Sequence, residues 1–528
     1  MSKGLPSMKY ACKQSVIQQV QFGGYNHRDS AQDGELYDMK NITAEMYPIL
    51  SPRKPRYKVA TLKKPNGLYR TEHLYWVDGT DLYQDGQVKM QVTDSKKQFT
   101  SIGSRVVIFP DKVWLDEKTG KHGTLNAEWS GSAKITDGTY EGISAKANTI
   151  TAPGANWSER FRPGDGVTIS GCKTHPENNR PLVIRQIDGD NLRFYENSFV
   201  IGPSGDQETI TIKREVPDLD FVFSRENRLF GCKGDTIYAS KLGDERNWNV
   251  FDGIASDSYA VQSGTPGAFT GCCGFKGYCV FFKEEAVYKL YGDRPSNYQL
   301  MDSASLGVAK GSGNSLAIAG ETLFYLSRTG VVAYSGGFPQ NIAAPFGQER
   351  YRSATAGSDG RRYFVSMQNE AGQYEMFVFS PEIGMWHKQD DSHVIGFAGG
   401  QDLYWLDADG TVWLDGNAMM IPEKAEPEST VDSMVEFGDI VEGSPNKKIT
   451  NKFQIRAELD AGAYMQIMIQ FDGDGKWIQA AQIRTNHKKS FLVPIIPRRA
   501  DHYKIRIKGH GAWKIYSMTR HSYAGSER

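Results

Sequence analysis

The sequence predicts an all-β protein: a β-propeller of six or seven blades, with an inserted small β domain and a C-terminal β-sandwich. Three observations carry that prediction. The stretch DLYWLDADGTVWLDG at residues 402–416 has a close relative, HLYWVDGTDLYQDG, at 73–86. The same grammar returns as RVVIFPDKVWLD (105–116), RLFGCKGDTIYAS (228–240), YCVFFKEEAVYKLYG (278–292), TLFYLSRTGVVAYSGG (322–337) and RYFVSMQNEAGQYEMFVFS (362–380). Most copies follow a small, Gly-bearing strand, as in TSIGSR, AIAGET and GFAGGQD.

Each copy reads as a β-hairpin for a local reason. Val, Trp and Tyr suit a pleated, half-buried surface, and Asp-Gly supplies the positive backbone angle of a tight turn. With the preceding strand, each unit becomes a small antiparallel sheet, and sheets repeating at roughly 40 to 50 residues are the signature of a propeller. Ring closure explains the paired first and last copies, which are expected as neighbours in space.

The domain boundaries follow from changes of texture. Residues 1–57 read as an extended strap, in which Pro48, Pro52 and Pro55 forbid a long helix. Blades occupy 58–117 and 218–416. Between them, 118–217 departs from blade grammar; DGVTIS, PLVIRQI and NLRFYE read as alternating strands of a small barrel or open sandwich. Residues 417–430 read as a linker by their Pro and Glu content, and 431–528 as the sandwich. In HYKIRIKG, Tyr503, Ile505 and Ile507 should face a core while Lys504, Arg506 and Lys508 stay wet.

Charge is balanced overall and divided unevenly. Lys plus Arg and Asp plus Glu both number 62, which argues against a general nucleic-acid or membrane binder. Residues 445–528 nevertheless hold 16 basic against 6 acidic residues, leaving 46 against 56 elsewhere. The wet basic face of Lys504, Arg506 and Lys508 is therefore a candidate interface, as are Arg53 and Arg56, placed to staple the strap to a blade or to reach a neighbouring subunit.

Motifs for chemistry are absent: no phosphate loop, HExxH, GxSxG or paired CxxC occurs. The expectation is no catalytic residue, no cofactor and no metal. DADG (407–410) and DGDG (472–475) lack the later Glu of an EF-hand and read as turns. Cys12, Cys172, Cys232, Cys272, Cys273 and Cys279 follow no metal spacing and read as buried thiols. A propeller glycosidase would need converging arginines, for which Arg225, Arg328, Arg361 and Arg362 are the candidates; the turns match that class only in part. No stretch has the apolar length of a signal peptide or a bilayer span, so synthesis in a cytosol is expected.

MKNITAEMYPILSPRKPR (39–56), the blades at 227–251, 271–295 and 306–343, and the closing RRADHYKIRIKGHGAWKIYSMTRHSYAGSE (498–527) resemble phage tail proteins of the nozzle, or head-to-tail stabilisation, family. The resemblance runs from about residue 20 to the end of the sequence. It implies a virion structural protein of the tail that forms a ring, commonly six-fold, around the channel for DNA ejection. The implied partners are other copies of the chain, an adaptor ring on the portal side, a fibre, spike or plug protein on the other, and genomic DNA in transient passage. No membrane span and no enzyme activity are implied. The alternative is a receptor- or glycan-binding propeller at the tail tip, with Trp157 and Tyr195 of the insertion as aromatic platforms.

Overall fold

The computed structural model describes residues 14–29, 32–140, 143–195, 197–400, 402–442 and 447–524. Cys12 lies outside them. The chain is an all-β propeller with a further inserted sheet and a terminal sandwich, and it divides into two compact units, Met1–Arg70 with Asn314–Arg528, and Thr71–Gly313. Among the described residues, seven small antiparallel sheets follow the predicted blade grammar.

In the first unit the blades are Ala317–Ala319, Thr322–Ser327, Gly330–Tyr334 and Gln340–Asn341; then Arg352–Ser358, Tyr363–Gln368, Tyr374–Ser380 and Met385–Lys388; then Val394–Ala398, Tyr404–Asp407 and Thr411–Leu414. That last blade takes its fourth strand from the other end of the propeller: Tyr57–Thr61 pairs antiparallel with Thr411–Leu414. Its inner strand, Val394–Ala398, packs against Pro65–Arg70. Sheet closure of this kind removes an exposed strand edge.

Each hairpin buries its middle strand, because that strand has neighbours on both sides. Tyr75, Val77, Tyr325, Leu326, Tyr363, Phe364, Trp405 and Leu406 are all essentially inaccessible. The turns fall on Gly in the left-handed region, as at Gly103, Gly320 and Gly410.

In the second unit, Gln98–Ile102, Arg105–Phe109, Val113–Asp116 and His122–Thr124 form one blade, so the blade runs past residue 117, where the sequence suggests that it ends. The next two are Phe221–Arg225 to Tyr259–Gln262 and Gly271–Phe275 to Gln299–Ala304. The insertion between them is one seven-stranded sheet built on three long strands, Asp206–Arg214, Ala127–Tyr140 and Ile143–Thr151, with Gly166–Ser170 and Pro181–Val183 on one side and Asn191–Arg193 and Gln186–Asp188 on the other. It docks on the blade that follows. Asn247 Nδ2 donates to Asp165 Oδ1 at 3.0 Å, the Gly166 amide donates to Asn247 Oδ1 at 3.0 Å, and Arg214 pairs with Asp165.

The terminal sandwich uses both ends of the chain. One sheet orders Gln14–Gln19, Trp513–Ala524, Lys448–Leu459 and Lys489–Pro494; the other orders Leu36–Lys40, Asp432–Phe437, Tyr503–His510, Tyr464–Phe471 and Ile478–Ile483. The segment taken as a strap thus contributes a strand to each sheet. Alternation along 503–508 is as expected: Tyr503, Ile505 and Ile507 are buried, Lys504 and Arg506 half-buried, Lys508 exposed. One apolar cluster runs from Phe324, Tyr363 and Trp386 of the blades through Phe22, Tyr25 and Leu36 to Val435, Ile467 and Ile515 of the sandwich. Gly24 permits that junction, because a Cβ there would lie 2.6 Å from the Trp386 carbonyl, to which the Tyr25 amide donates at 2.7 Å.

Candidate functional site

Arg53 and Arg56 meet at the seam between the last two blades and the chain that leaves them. Pro52 and Pro55 keep the segment extended, which lets its side chains reach in different directions. Arg53 donates to Glu428 through both terminal nitrogens, 2.7 Å and 3.0 Å, and its Nε donates to Asn41 Oδ1 at 2.8 Å. Arg56 pairs with Asp390 at 2.6 Å, donates to Gln389 Oε1 at 2.7 Å and lies 4.9 Å over the Trp405 ring. Burial alone would raise the Asp390 and Glu428 carboxyls; the guanidinia outweigh it and hold both below their ordinary values. Both arginines are buried, at 6% and 3% exposure. Their charges are therefore neutralised inside one chain, as a clamp, and present no surface to a neighbouring subunit.

A cavity of about 450 Å³ opens beside this clamp, lined by Lys40, Asp390, Asp391, His393, Asp407 and Asp409 among others. Asp407 accepts from Trp413 Nε1 at 3.0 Å, while its other oxygen is buried without a partner. Burial pushes its carboxyl up to about 7; Arg56 opposes the shift, and Asp390 and Asp409 add to it. The DADG turn is thus held by this bond and by the positive φ of Gly410.

A second cavity, of about 640 Å³, lies between Glu45, Tyr47, Arg362, Asp402, Asp415 and Met419. Arg362 occupies its floor, bound to Glu45 at 2.7 Å, Asp359 at 2.7 Å and Asp415 at 3.0 Å. Arg361 pairs instead with Glu382, and Arg225 with Glu226 and the Cys279 sulfur. Arg361 and Arg362 thus line one cavity, each bound to its own carboxylates.

The predicted basic strand is largely self-neutralised. Arg506 donates to Glu436 at 2.9 Å and stacks 4.0 Å over Trp477. Lys504 lies near Glu436 and Asp439, at 3.9 Å and 3.6 Å, and over the Tyr37 ring. Only Lys508 of the three is exposed. Further basic charge sits elsewhere on the sandwich, on Lys476, Arg484, Lys488, Lys489, Arg498 and Arg499, all exposed, with Arg498 paired to Asp474 at 3.4 Å. Their density in 476–499, with no Asp or Glu among them, is the sequence signal for this surface.

Trp157 is fully buried, donating to the Asp190 carbonyl at 2.8 Å, so it offers no binding platform; a short helix, Trp157–Arg160, turns it inward. Tyr195 is exposed, with Arg185 over its ring. Cys172, Cys232 and Cys279 are buried and Cys272 and Cys273 half-buried, all as free thiols; burial raises Cys273 and Cys279 to about 12. Asp472, Asp501 and His502 bring ligand atoms within 4.8 Å of one another. The Asp501 amide donates to Asp472 Oδ1 at 2.9 Å, so turn hydrogen bonding accounts for the grouping. No helix among the described residues is long and apolar enough to cross a membrane.

Comparison with known proteins gives similarity of structure alone. No protein-family model and no curated protein matches the chain. Among solved structures it is similar to U3-55K, with 8% identity and a TM-score of 0.34 over 68% of this chain and 98% of that one. It is similar to the β-propeller domain of the Trilobed protease from Pyrococcus furiosus, with 10% identity and a TM-score of 0.27 over 62% and 96%. It is also similar to the exo-beta-1,3-galactanase from Phanerochaete chrysosporium, with 11% identity and a TM-score of 0.22 over 57% and 94%.

Proposed function

We propose that the chain is a structural protein of a phage virion, forming a six-fold ring in the tail that serves as nozzle and conduit for DNA ejection. The observation that carries this reading is the single apolar core joining blades to sandwich, reinforced by the Arg53 and Arg56 clamp. Blades and sandwich of that unit, joined in this way, carry load together, which suits a wall or a coupling. Arg53, Arg56 and Arg362 are committed to ion pairs that hold the fold, and the role is non-enzymatic. The uneven charge supports the same reading. A conduit should not grip its cargo, because each phosphate contact adds salt-dependent affinity that slows passage. In the virion the ring would meet a head-to-tail adaptor on the portal side and a fibre, spike or plug protein on the other.

Negative-stain images of the purified chain test the proposal. Rings with an open centre are expected. Dispersed monomers that bind immobilised glycans would replace it with a recognition role.

A further inference from the structure

The far edge of the terminal sandwich is built unlike the rest of the surface. Ile478–Ile483 and Lys489–Pro494 are the edge strands of its two sheets, each paired on one side only, and they pack near one another. Residues 484–488 connect them. From Gly475 to Ala500 the sequence contains no Asp or Glu and six Lys or Arg. Edge strands often carry Lys to discourage stray pairing. Guarding alone does not call for exposed apolar side chains in the same place, yet Ile478, Leu492 and Ile496 are 44%, 62% and 77% exposed. Several of the cations are held in fixed positions by aromatic rings, with Lys488 3.5 Å over Tyr516 and Arg484 5.3 Å over Tyr464.

The complementary surface lies on the same chain. The connection between last blade and sandwich, NAMMIPEKAEPE at 417–428, exposes Met419 and Met420 at 76% each and Ile421 at 47%. Glu423 and Glu426 beside them are exposed, with Lys424 between them, while the carboxylates of the cavity next to Met419 are already paired, Glu45 and Asp415 with Arg362, Glu382 with Arg361 and Asp402 with Arg70. The segment is held in place, because Glu426–Pro427 pairs with Tyr57 and Lys58 and Glu428 is in the arginine clamp. One surface is apolar and flanked by two exposed glutamates, the other is apolar with a basic surround.

We propose that the basic edge at 476–499 of one copy docks on the acidic, methionine-bearing connection at 417–426 of a second copy. The two surfaces differ, so the contact is heterologous, and repetition of such a contact gives a ring when the rotation closes. This inference rests on the ring reading and names its joint.

The test uses the full chain and two charge-reversed variants, Lys488→Glu/Lys489→Glu/Arg499→Glu and Glu423→Lys/Glu426→Lys, with circular dichroism as the folding check. Mass photometry should find the high-mass species in wild type, its loss in each variant alone, and its return when the two variants are mixed, since each reversed surface then meets its opposite. Added salt should weaken the wild-type assembly. Variants that assemble as wild type overturn the joint and leave the ring reading standing. A wild type that is monomeric overturns both. Retention of wild type on duplex DNA, lost in the triple variant while assembly is unchanged, would make the edge a phosphate-binding surface and overturn the joint.

Discussion

Arg53 and Glu428, 375 positions apart, meet as a two-bond fork of 2.7 Å and 3.0 Å. The guanidinium is almost wholly buried and the carboxylate one-quarter exposed. The pair ties the segment before the first blade to the segment after the last.

Removing Arg53 leaves the one-quarter-exposed Glu428 carboxylate with the Arg56 amide but without the guanidinium fork, at a cost of about 1.5 to 3 kcal/mol. Arg53→Ala should lower stability by that order in denaturant melts. Arg53→Lys should recover only part of it, because an ammonium cannot form the fork.

Closure of the propeller depends on Tyr57–Thr61. Lys58 is flanked on both sides, by Trp413 and by Glu426, so its amide lies within a ladder. Lys58→Pro removes that donor from the ladder and should destabilise by about 1 to 3 kcal/mol. Faster proteolytic cleavage around 57–61, with a lowered melting temperature, is the expected observation.

Asp407 predicts a pH dependence. Its ordinary value is 3.8 and burial raises it to about 7 in the folded chain. The folded state therefore holds a proton that the unfolded state has released, and stability falls as pH rises from about 4 through 7. Asp407→Asn keeps an acceptor for Trp413 and abolishes the ionisation. Its melting temperature should exceed that of wild type at pH 8, and the gap should close at pH 4.

Gly410 has φ +91°, and a Cβ there would lie 2.0 Å from the Leu62 carbonyl. Gly410→Ala should cost about 3 kcal/mol, combining strain with a backbone clash. Gly320, with φ +59° and open space around it, should cost about 1 kcal/mol on the same change. Equal costs would show that the clash at Leu62 is relieved by a shift.

The blades were legible because their signals are local. Tyr404–Asp407 and Thr411–Leu414 declare themselves by aromatic alternation around Asp-Gly, and Tyr503–His510 by strict two-residue alternation. What escaped reading depends on partners distant in sequence. Gln14–Gln19 is a polar strand whose pairing with Trp513–Ala524 joins opposite ends of the chain. Glu426–Pro427 reads as linker until Tyr57 and Lys58 are beside it. Arg506 looks free until Glu436, 70 residues away, is placed against it. Arg53 and Arg56 were singled out for their charge, but their burial arises only when the last two blades close over them.

The central claim is that this chain is a ring-forming wall, and a cryo-electron reconstruction of the purified assembly tests it most directly. Rotational symmetry, an open axial channel, and the sandwich edge at 476–499 of each copy against residues 417–426 of the next are expected. A monomeric particle, or a closed body with no channel through its axis, would contradict it.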